Sequence, residues 1–437
     1  MEGKRVLIYG FGEAGKQILK DSHGRLNVVG FVDDNPNLKG QTFLNVPVLG
    51  TGEELEKIVS KYNVDSVIIA IPSAPIKRIR EIQMHLLRLG IRDIKILPVE
   101  YVDRDRVYLR QVVDIDPSEL IGDTDFHVDM DDLRNYFREK RILITGGAGY
   151  IGYHIVKFIL DLEPRSVVAL DIDETRLFEL KQDFPDVNIF LGDVTRVEDL
   201  EKLFERHAPV DVVFHAAAYK HVPLLEDFPW KAIEVNVYGT RNLVEISRRY
   251  GVEKFVFIST DKAVNPVGIM GMSKRIAEEV VRKSGYISVR FVNVIGSRGS
   301  VLPLFMKQIE RERKITITHE DATRYFMDVR KAVFLIFYAA IMGRGGEVFF
   351  LKPSKPLRIK ELAEKLIRLY GYEPGRDVKI EMVGLRKGEK VEEEIFEENG
   401  NLLPTSHPMI FRYESLPGVE DVIDTVREKY GMEISLT

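Results

Sequence analysis

The sequence predicts an α/β protein made of two Rossmann-like, doubly wound parallel-sheet domains. Three observations carry that prediction. A glycine-rich turn between a strand pattern and a helical pattern occurs twice, at Gly10-Phe-Gly12-Glu-Ala-Gly15 and at Gly146-Gly-Ala-Gly149-Tyr-Ile-Gly152. Each is followed by a second β-branched run ending in an acidic residue, Asp33 in one case and Asp171 in the other. The segments between them alternate apolar runs with helical periodicity, and 437 residues suffice for two large domains. The boundary is expected just before the second glycine-rich unit, giving domains 1–135 and 136–437.

Composition narrows the function classes. The 63 basic and 68 acidic residues are interspersed and leave a net charge of −5, so no basic field points to nucleic acid. Cysteine is absent, which excludes disulfides, thiolate nucleophiles and Cys-ligated metal; no metal site is expected. The longest apolar run, Ala332 to Met342, is too short to span a bilayer. The opening MEGKRVLIYG runs straight into a strand, so no signal peptide is read and a soluble, cytoplasmic protein is expected.

In the first domain Arg5 to Tyr9 and Asn27 to Val32 read as strands, Glu53 to Tyr62 as a helix, and Ser66 to Ile71 as a strand. Gly10, Gly12 and Gly15 would allow a pyrophosphate to approach the helix N-terminus, with Asp33 as the acidic partner. These four residues form a possible second nucleotide site; the domain could equally serve only to pack. It offers no acid–base constellation. Arg104 to Asp131 is Asp-rich without a clear period, and Met130 to Lys140 is a short helical pattern leading onward.

The second domain opens with the strand Arg141 to Thr145, the glycine-rich loop and a helix over Tyr153 to Leu160. Gly146, Gly149, Tyr150, Ile151 and Gly152 are the expected contacts of a nicotinamide dinucleotide. The strand Ser166 to Leu170 ends at Asp171, whose carboxylate would accept from the adenosine ribose and favour NAD over NADP; Arg176 nearby could soften that choice. Asp193 and Val194, after the strand Val187 to Gly192, are placed for adenine, although Asp193 also fits a solvated strand end. Val212 to Ala218 runs into Ala216, Ala217 and Ala218, small enough for close approach of a cofactor. Lys220 suits a phosphate or sugar hydroxyl, while His221 reads as structural and Asn236 as a polar surface residue. KFVFI, residues 254–258, reads as a buried strand, so Thr260, Asp261 and Lys262 sit at its carboxyl end, where open α/β sheets hold ligands. A helix begins near Ile269 and puts Met270 and Lys274 on one face. Leu357 to Leu369 and Val419 to Tyr430 read as structural amphipathic helices.

HAAAYKHVPLLED, NVYGT, FISTDKAVNP, MGMSKRIAEE, RFVNVIGSRGSVLPLF, THEDATRYFM and GLRKGEK occur in this order. Together they resemble the nucleotide-sugar 4,6-dehydratases of polysaccharide biosynthesis, within the extended short-chain dehydrogenase/reductase superfamily. The likeness covers essentially the whole chain. VVGFVDDNPNLKG is similar to the cytoplasmic domain that precedes the dehydratase in large membrane-bound members; without their transmembrane helices, this chain looks like a soluble form. TGGAGYIG departs toward nucleotide-sugar epimerases.

The resemblance implies tightly bound NAD, a UDP-N-acetylglucosamine-type UDP-sugar substrate, and a homo-oligomer. It makes Asp261 the acid for the departing 6-hydroxyl, Lys262 the base for the C5 proton, and Lys274 the holder of the nicotinamide ribose. It gives Asn236 a bracing role beside the active-site strand. Met270 stands where small members have the tyrosine that deprotonates the 4-hydroxyl, and large members also have Met there. Asn293, Ser297 and Arg298 are expected at the diphosphate, and Arg324, Arg386 and Lys390 at the UDP moiety. One tension follows. A base needs a lowered Lys262 and an acid needs a raised Asp261, yet adjacent opposite charges push each the other way. Either the strand splits the pair or the two trade one proton as a unit. The 4-hydroxyl proton falls to Thr260, Asp261 or water. Two rival readings stand: an epimerase of the same fold, and a non-catalytic nucleotide-sugar sensor resting on Met270.

Overall fold

The computed structural model describes residues 4–22, 26–71, 74, 76–89, 91, 93–96, 126, 128–297, 299–369, 372–395, 397 and 401–436. The Asp-rich stretch from Arg104 lies outside these up to residue 125, as do Pro72, Ser73 and Arg298. The chain clusters into two compact units: 1–117 with 309–314 and 363–380, and 118–308 with 315–362 and 381–437.

The first unit holds a six-stranded sheet. Its strands are β1 Arg5–Tyr9, β2 Asn27–Val32, β3 Thr42–Phe43, β4 Val46–Gly50, β5 Ser66–Ile69 and β6 Asp93–Ile96, in the order β3-β4-β2-β1-β5-β6. All neighbours run parallel except the β3–β4 hairpin. Strand alternation sorts β1 between two cores. Leu7 and Tyr9 join Leu55, Ile58, Ile82 and Leu86 on one face, while Val6 and Ile8 join Ala14 and Ile18 on the other. The sheet is therefore wound on both sides. The strand expected to reach Ile71 ends at Ile69.

The second unit carries a nine-stranded sheet. Its parallel part comprises β7 Arg141–Thr145, β8 Ser166–Asp171, β9 Asn188–Leu191, β10 Val212–His215, β11 Lys254–Ile258, β12 Ile287–Arg290 and the strand Val348–Leu351. Ile410–Tyr413 and Leu402–Pro404 extend it antiparallel at one edge. The spatial order is β9-β8-β7-β10-β11-β12, so the winding reverses between β7 and β10. That reversal opens a crevice beyond the strands' carboxyl ends. Ile142 and Ile144 pack on Ile155, Val156 and Ile159, while Leu143 faces Leu203, Phe204, Leu243 and Val281.

Several elements differ from the sequence reading in ways that matter for the site. The helix expected from Tyr153 starts at Tyr150, directly after Gly149, so its N-terminus opens onto the glycine-rich loop. The helical region around Asn236 is not uniform: Pro229–Ala232 passes into a π-helical stretch, Ile233–Gly239, and then into Thr240–Arg249. Asn293 lies beyond the end of β12, in a short strand Asn293–Val294 that pairs with Phe326–Met327. The apolar run ending at Met342 forms the buried helix Val329–Met342. Among the described residues no helix is long and apolar enough to cross a membrane.

Candidate active site

Gly146 holds φ +65°, and a Cβ there would lie 2.6 Å from Ala217 N. A Cβ on Gly152 would fall 2.0 Å from Gly146 O. Glycine is therefore the residue that lets this turn close against β10 and start the helix at once. Asp171, at the end of β8, accepts from Ala148 N at 3.0 Å and from Asp173 N at 3.0 Å. It thus ties the loop to the neighbouring strand end while still lining the cavity beside it. The first unit repeats the device, with Asp33 accepting from Phe11 N at 2.8 Å. There Gly10 has φ +115° and Gly15 leaves no room for a Cβ, which would sit 2.0 Å from Gly10 O.

One cavity of about 670 Å³ runs along the crevice of the second unit. Gly146, Gly149, Tyr150, Ile151, Gly152, Asp171, Asp193, Val194, Ala216, Ala217 and Ala218 all line it. So do Lys220, Thr260, Lys262, Met270, Lys274, Asn293 and Ser297. Arg176 lines it near Asp171 and pairs with Asp173 at 3.2 Å. Asp193 spends one oxygen on Thr195 N and Oγ1, each at 2.8 Å.

Four residues expected at the ligand are not among those lining the cavity. Asp261 is wholly buried beneath the surface that Thr260 and Lys262 present. The Arg324 guanidinium is taken up by the carbonyls of Thr323, Val391 and Lys390 at 2.7, 2.9 and 2.8 Å. Lys390 Nζ donates to Val264 O at 3.2 Å, and Arg386 is exposed to solvent. Arg298 lies outside the described residues. The sequence reading overlooked Ser300, which lines the same cavity; its buried hydroxyl has no hydrogen-bond partner among the described residues.

The cluster after β11 has a definite proton inventory. Thr260 Oγ1 donates to Asp261 Oδ1 at 2.8 Å, and Lys262 Nζ donates to the same oxygen at 3.1 Å and to Asn293 Oδ1 at 3.2 Å. Glu393, unsuspected within an acidic run, lies 3.2 Å from Lys262 Nζ. Burial raises the Asp261 carboxyl, outweighing the attraction of Lys262. Burial would lower the Lys262 amine, but Asp261 and Glu393 outweigh it and hold the amine above its usual range. The expected lowering of Lys262 is thus reversed. The strand does not split the pair; the two side chains are in contact.

Lys274 is the amine that burial depresses, down to about 7, with Glu278 opposing. Its Nζ donates to Ile258 O at 2.6 Å and lies 3.9 Å from the Phe257 ring centre. His215 is locked between Thr145 and Thr240 at 2.6 and 2.9 Å, and burial drives its pKa down to about 3, so it stays neutral. Asn236, within the π-helical stretch, is buried and hydrogen-bonded rather than a solvated surface group, as the bracing role implied by the resemblance has it. Its amide pairs with both backbone groups of Tyr219, at 2.9 and 3.0 Å, and with Ser273 Oγ at 3.0 Å. This joins the loop after β10 to the helix Ile269–Lys283. Ser259 Oγ donates to Glu278 at 2.6 Å, and Arg290 grips Glu278 with two bonds of 2.7 and 2.6 Å.

Residues 142–415 match the model of a family described as polysaccharide biosynthesis protein, and residues 2–98 match one described as a CoA-binding domain. Over 421 residues the chain is 36% identical to the capsular polysaccharide biosynthesis protein CapD of Staphylococcus aureus, covering 91% of this chain and 69% of CapD. Among solved structures, Pen from Bacillus thuringiensis is similar at a TM-score of 0.59 and 30% identity, over 68% of this chain and 99% of Pen. The UDP-glucose 4-epimerase of Thermus thermophilus in complex with NAD is similar at a TM-score of 0.51 and 26% identity, over 58% of this chain and 89% of the epimerase.

Proposed function

Because the chain belongs to the polysaccharide biosynthesis protein family, we propose that it is an NAD-dependent 4,6-dehydratase of a UDP-N-acetylglucosamine-type nucleotide sugar. At the coarser level it is a nucleotide-sugar-modifying enzyme of the dehydratase/epimerase kind. The observation that carries the finer reading is the Lys262 cluster at the end of a cavity that begins at the glycine-rich loop. Interconversion at C4 needs one proton acceptor for the 4-hydroxyl. Elimination needs, in addition, a base at C5 and an acid at C6, and a lysine coupled to a buried carboxylate can supply both.

The residues suit a dinucleotide. Gly146 and Gly152 let the loop fold tightly onto its own backbone, the helix N-terminus at Tyr150 opens onto that loop, and Asp171 flanks it. NAD held there would supply a hydride acceptor for C4 and a hydride donor for C6. We assign the adenosine end to Asp171, Asp193 and Val194, the diphosphate to the loop, and the nicotinamide ribose to Lys274. Ala216 to Ala218 keep the β10 side open, and Ser297, Ser300 and Lys220 are assigned to the sugar diphosphate. The carboxylate of Asp171 would accept from a 2′-hydroxyl and repel a 2′-phosphate, which favours NAD over NADP.

The two charges after β11 operate as one unit. Lys262 passes a proton to Asp261 and takes up the C5 proton. Asp261, which does not itself reach the cavity, protonates the departing 6-hydroxyl by way of Thr260 Oγ1 so that it leaves as water, and Lys262 returns its proton to C5 as C6 receives the hydride. Thr260, which faces the cavity, also offers the first step of the path by which the 4-hydroxyl proton that Met270 cannot take passes to solvent, and Lys262 regains a proton from solvent at the end of the cycle. Residues 136–437 would thus hold the whole reaction, with residues 1–135 a separate nucleotide-binding-type domain. The epimerase reading is favoured by TGGAGYIG and by the likeness to the UDP-glucose 4-epimerase. Incubation with UDP-N-acetylglucosamine and NAD, followed by mass spectrometry of the sugar nucleotide, separates the two. Loss of water is expected; an isomer of unchanged mass would sink the dehydratase reading.

A further inference from the structure

Three side-chain oxygens surround the Lys262 amine: it donates to Asp261 Oδ1 at 3.1 Å and Asn293 Oδ1 at 3.2 Å, and it forms an ion pair with Glu393 Oε1 at 3.2 Å. A lysine so held is a cation without a free lone pair, whereas abstraction at C5 needs that lone pair. Glu393 brings the second negative charge. Its side chain is only 5% exposed, and Arg324 Nε reaches the same oxygen from the other side at 3.5 Å. Arg324 is itself anchored on the carbonyls of Thr323, Lys390 and Val391. The charged groups facing this amine are therefore Asp261, Glu393 and Arg324, with Lys390 also acting on Glu393. Between two cations, Glu393 is held ionised below its ordinary range in spite of burial. Asp261, raised by burial and carrying an oxygen without a partner among the described residues, is the carboxylate able to change its charge. The two acids around one amine are thus not equivalent.

We infer that Glu393 is a positioning residue of this site, the fixed counter-charge that keeps the Lys262 amine protonated and aimed in the resting enzyme. It acts through Lys262 and does not itself touch substrate. Its meaning for catalysis rests on the dehydratase reading, but the charge state of Lys262 can be measured without turnover. Removing the charge of Glu393 destabilises the Lys262 cation, so more of the amine is neutral at any pH below its titration.

The test is competitive acetylation of the full-length protein with acetic anhydride at pH 9, Lys262 being quantified by peptide mass spectrometry. Glu393→Gln, which keeps the shape and removes the charge, should raise Lys262 labelling about tenfold, the gain in neutral amine when its pKa falls by about one. Glu393→Asp draws the charge back by one methylene and should raise it less; it serves as the second variant if the Gln form does not accumulate. The exposed neighbour Glu392→Gln should leave labelling unchanged. Unchanged Lys262 reactivity in both Glu393 variants would overturn the inference. If the wild-type enzyme removes water from the sugar nucleotide while labelling fails to respond, only this inference falls. If labelling responds but no water is lost, the dehydratase reading falls and the charge assignment stands.

Discussion

Lys262, Asp261 and Met270 carry different burdens in the proposed elimination, and single substitutions separate them. Lys262→Ala removes the base and should abolish both water loss and exchange of the C5 hydrogen with deuterated solvent. Asp261→Asn should slow water loss by about 10²–10⁴-fold and exchange by less, because exchange does not require the hydroxyl to leave. Met270→Leu should keep most activity, as the thioether neither gives nor takes a proton. Measuring both rates in all three variants decides; normal exchange in Lys262→Ala would remove Lys262 as the base. Lys274 makes a prediction about stability. Its amine sits at about 7 when folded against 10.5 when unfolded. Between those values the unfolded chain binds a proton that the folded chain does not, so this residue's unfavourable contribution is full below pH 7 and fades as pH rises toward 10.5. Lys274→Met lacks this dependence. Urea midpoints at about pH 7 and about pH 9.5 should show the wild type gaining on the variant as pH rises; parallel curves would mean that the amine is not desolvated.

At the scale of elements, the helix Ile269–Lys283 has its N-cap at Gly268, which has no side chain to offer the free amides. Glu226 supplies the cap from another helix, accepting from Ile269 N at 2.7 Å while Tyr430 OH donates to it at 2.8 Å. The C-terminal helix Glu420–Tyr430 therefore does more than cover apolar surface. It braces the carboxylate that fixes the helix bearing Met270 and Lys274. Glu226→Ala should cost about 0.5–2 kcal/mol of stability, the range for a lost cap. Chemical denaturation measures this, and an unchanged midpoint would show that solvent replaces the cap at no cost. Gly152→Ala tests the other helix at the site: with a Cβ 2.0 Å from Gly146 O, it should abolish NAD binding by calorimetry even where the protein remains folded.

For the whole molecule, every residue lining the cavity belongs to the second unit, as do Asp261 and Glu393. A chain beginning at Met130 keeps all of them. It should bind NAD and turn over substrate with the same cofactor choice. A folded truncated form that binds no NAD would show that the first domain shapes the site. Asp171→Ala bears on cofactor choice in the intact molecule. It should weaken NAD more than NADP, and an equal loss of both would mean that another residue does the reading.

The order of strand, glycine-rich turn, helix and acidic strand end was legible twice from residue types, because the turn needs φ and space that only glycine provides and parallel strands are written as continuous apolar runs. That local chemistry also marked Asp171, Ala216 to Ala218, Thr260, Lys262 and Lys274, all of which border one cavity. Whatever depends on long-range approach was not legible. Glu393 lies within an acidic run that reads as solvated, yet it stands 131 positions away from the amine it pairs with at 3.2 Å. Arg324 and Lys390 looked like anion ligands, but backbone carbonyls supplied by the fold take their donors. Asn236 reads from its residue type as a surface group and only through the resemblance as a brace; in the fold it lies in the π-helical stretch and its amide bonds Tyr219 and Ser273. The sequence by itself determined the sheet, the loop and the residue types of the site, since each follows from conformation within a few neighbours. Only the tertiary structure decided which charges meet, because Coulomb energy and desolvation depend on distances through space that separation along the chain does not encode.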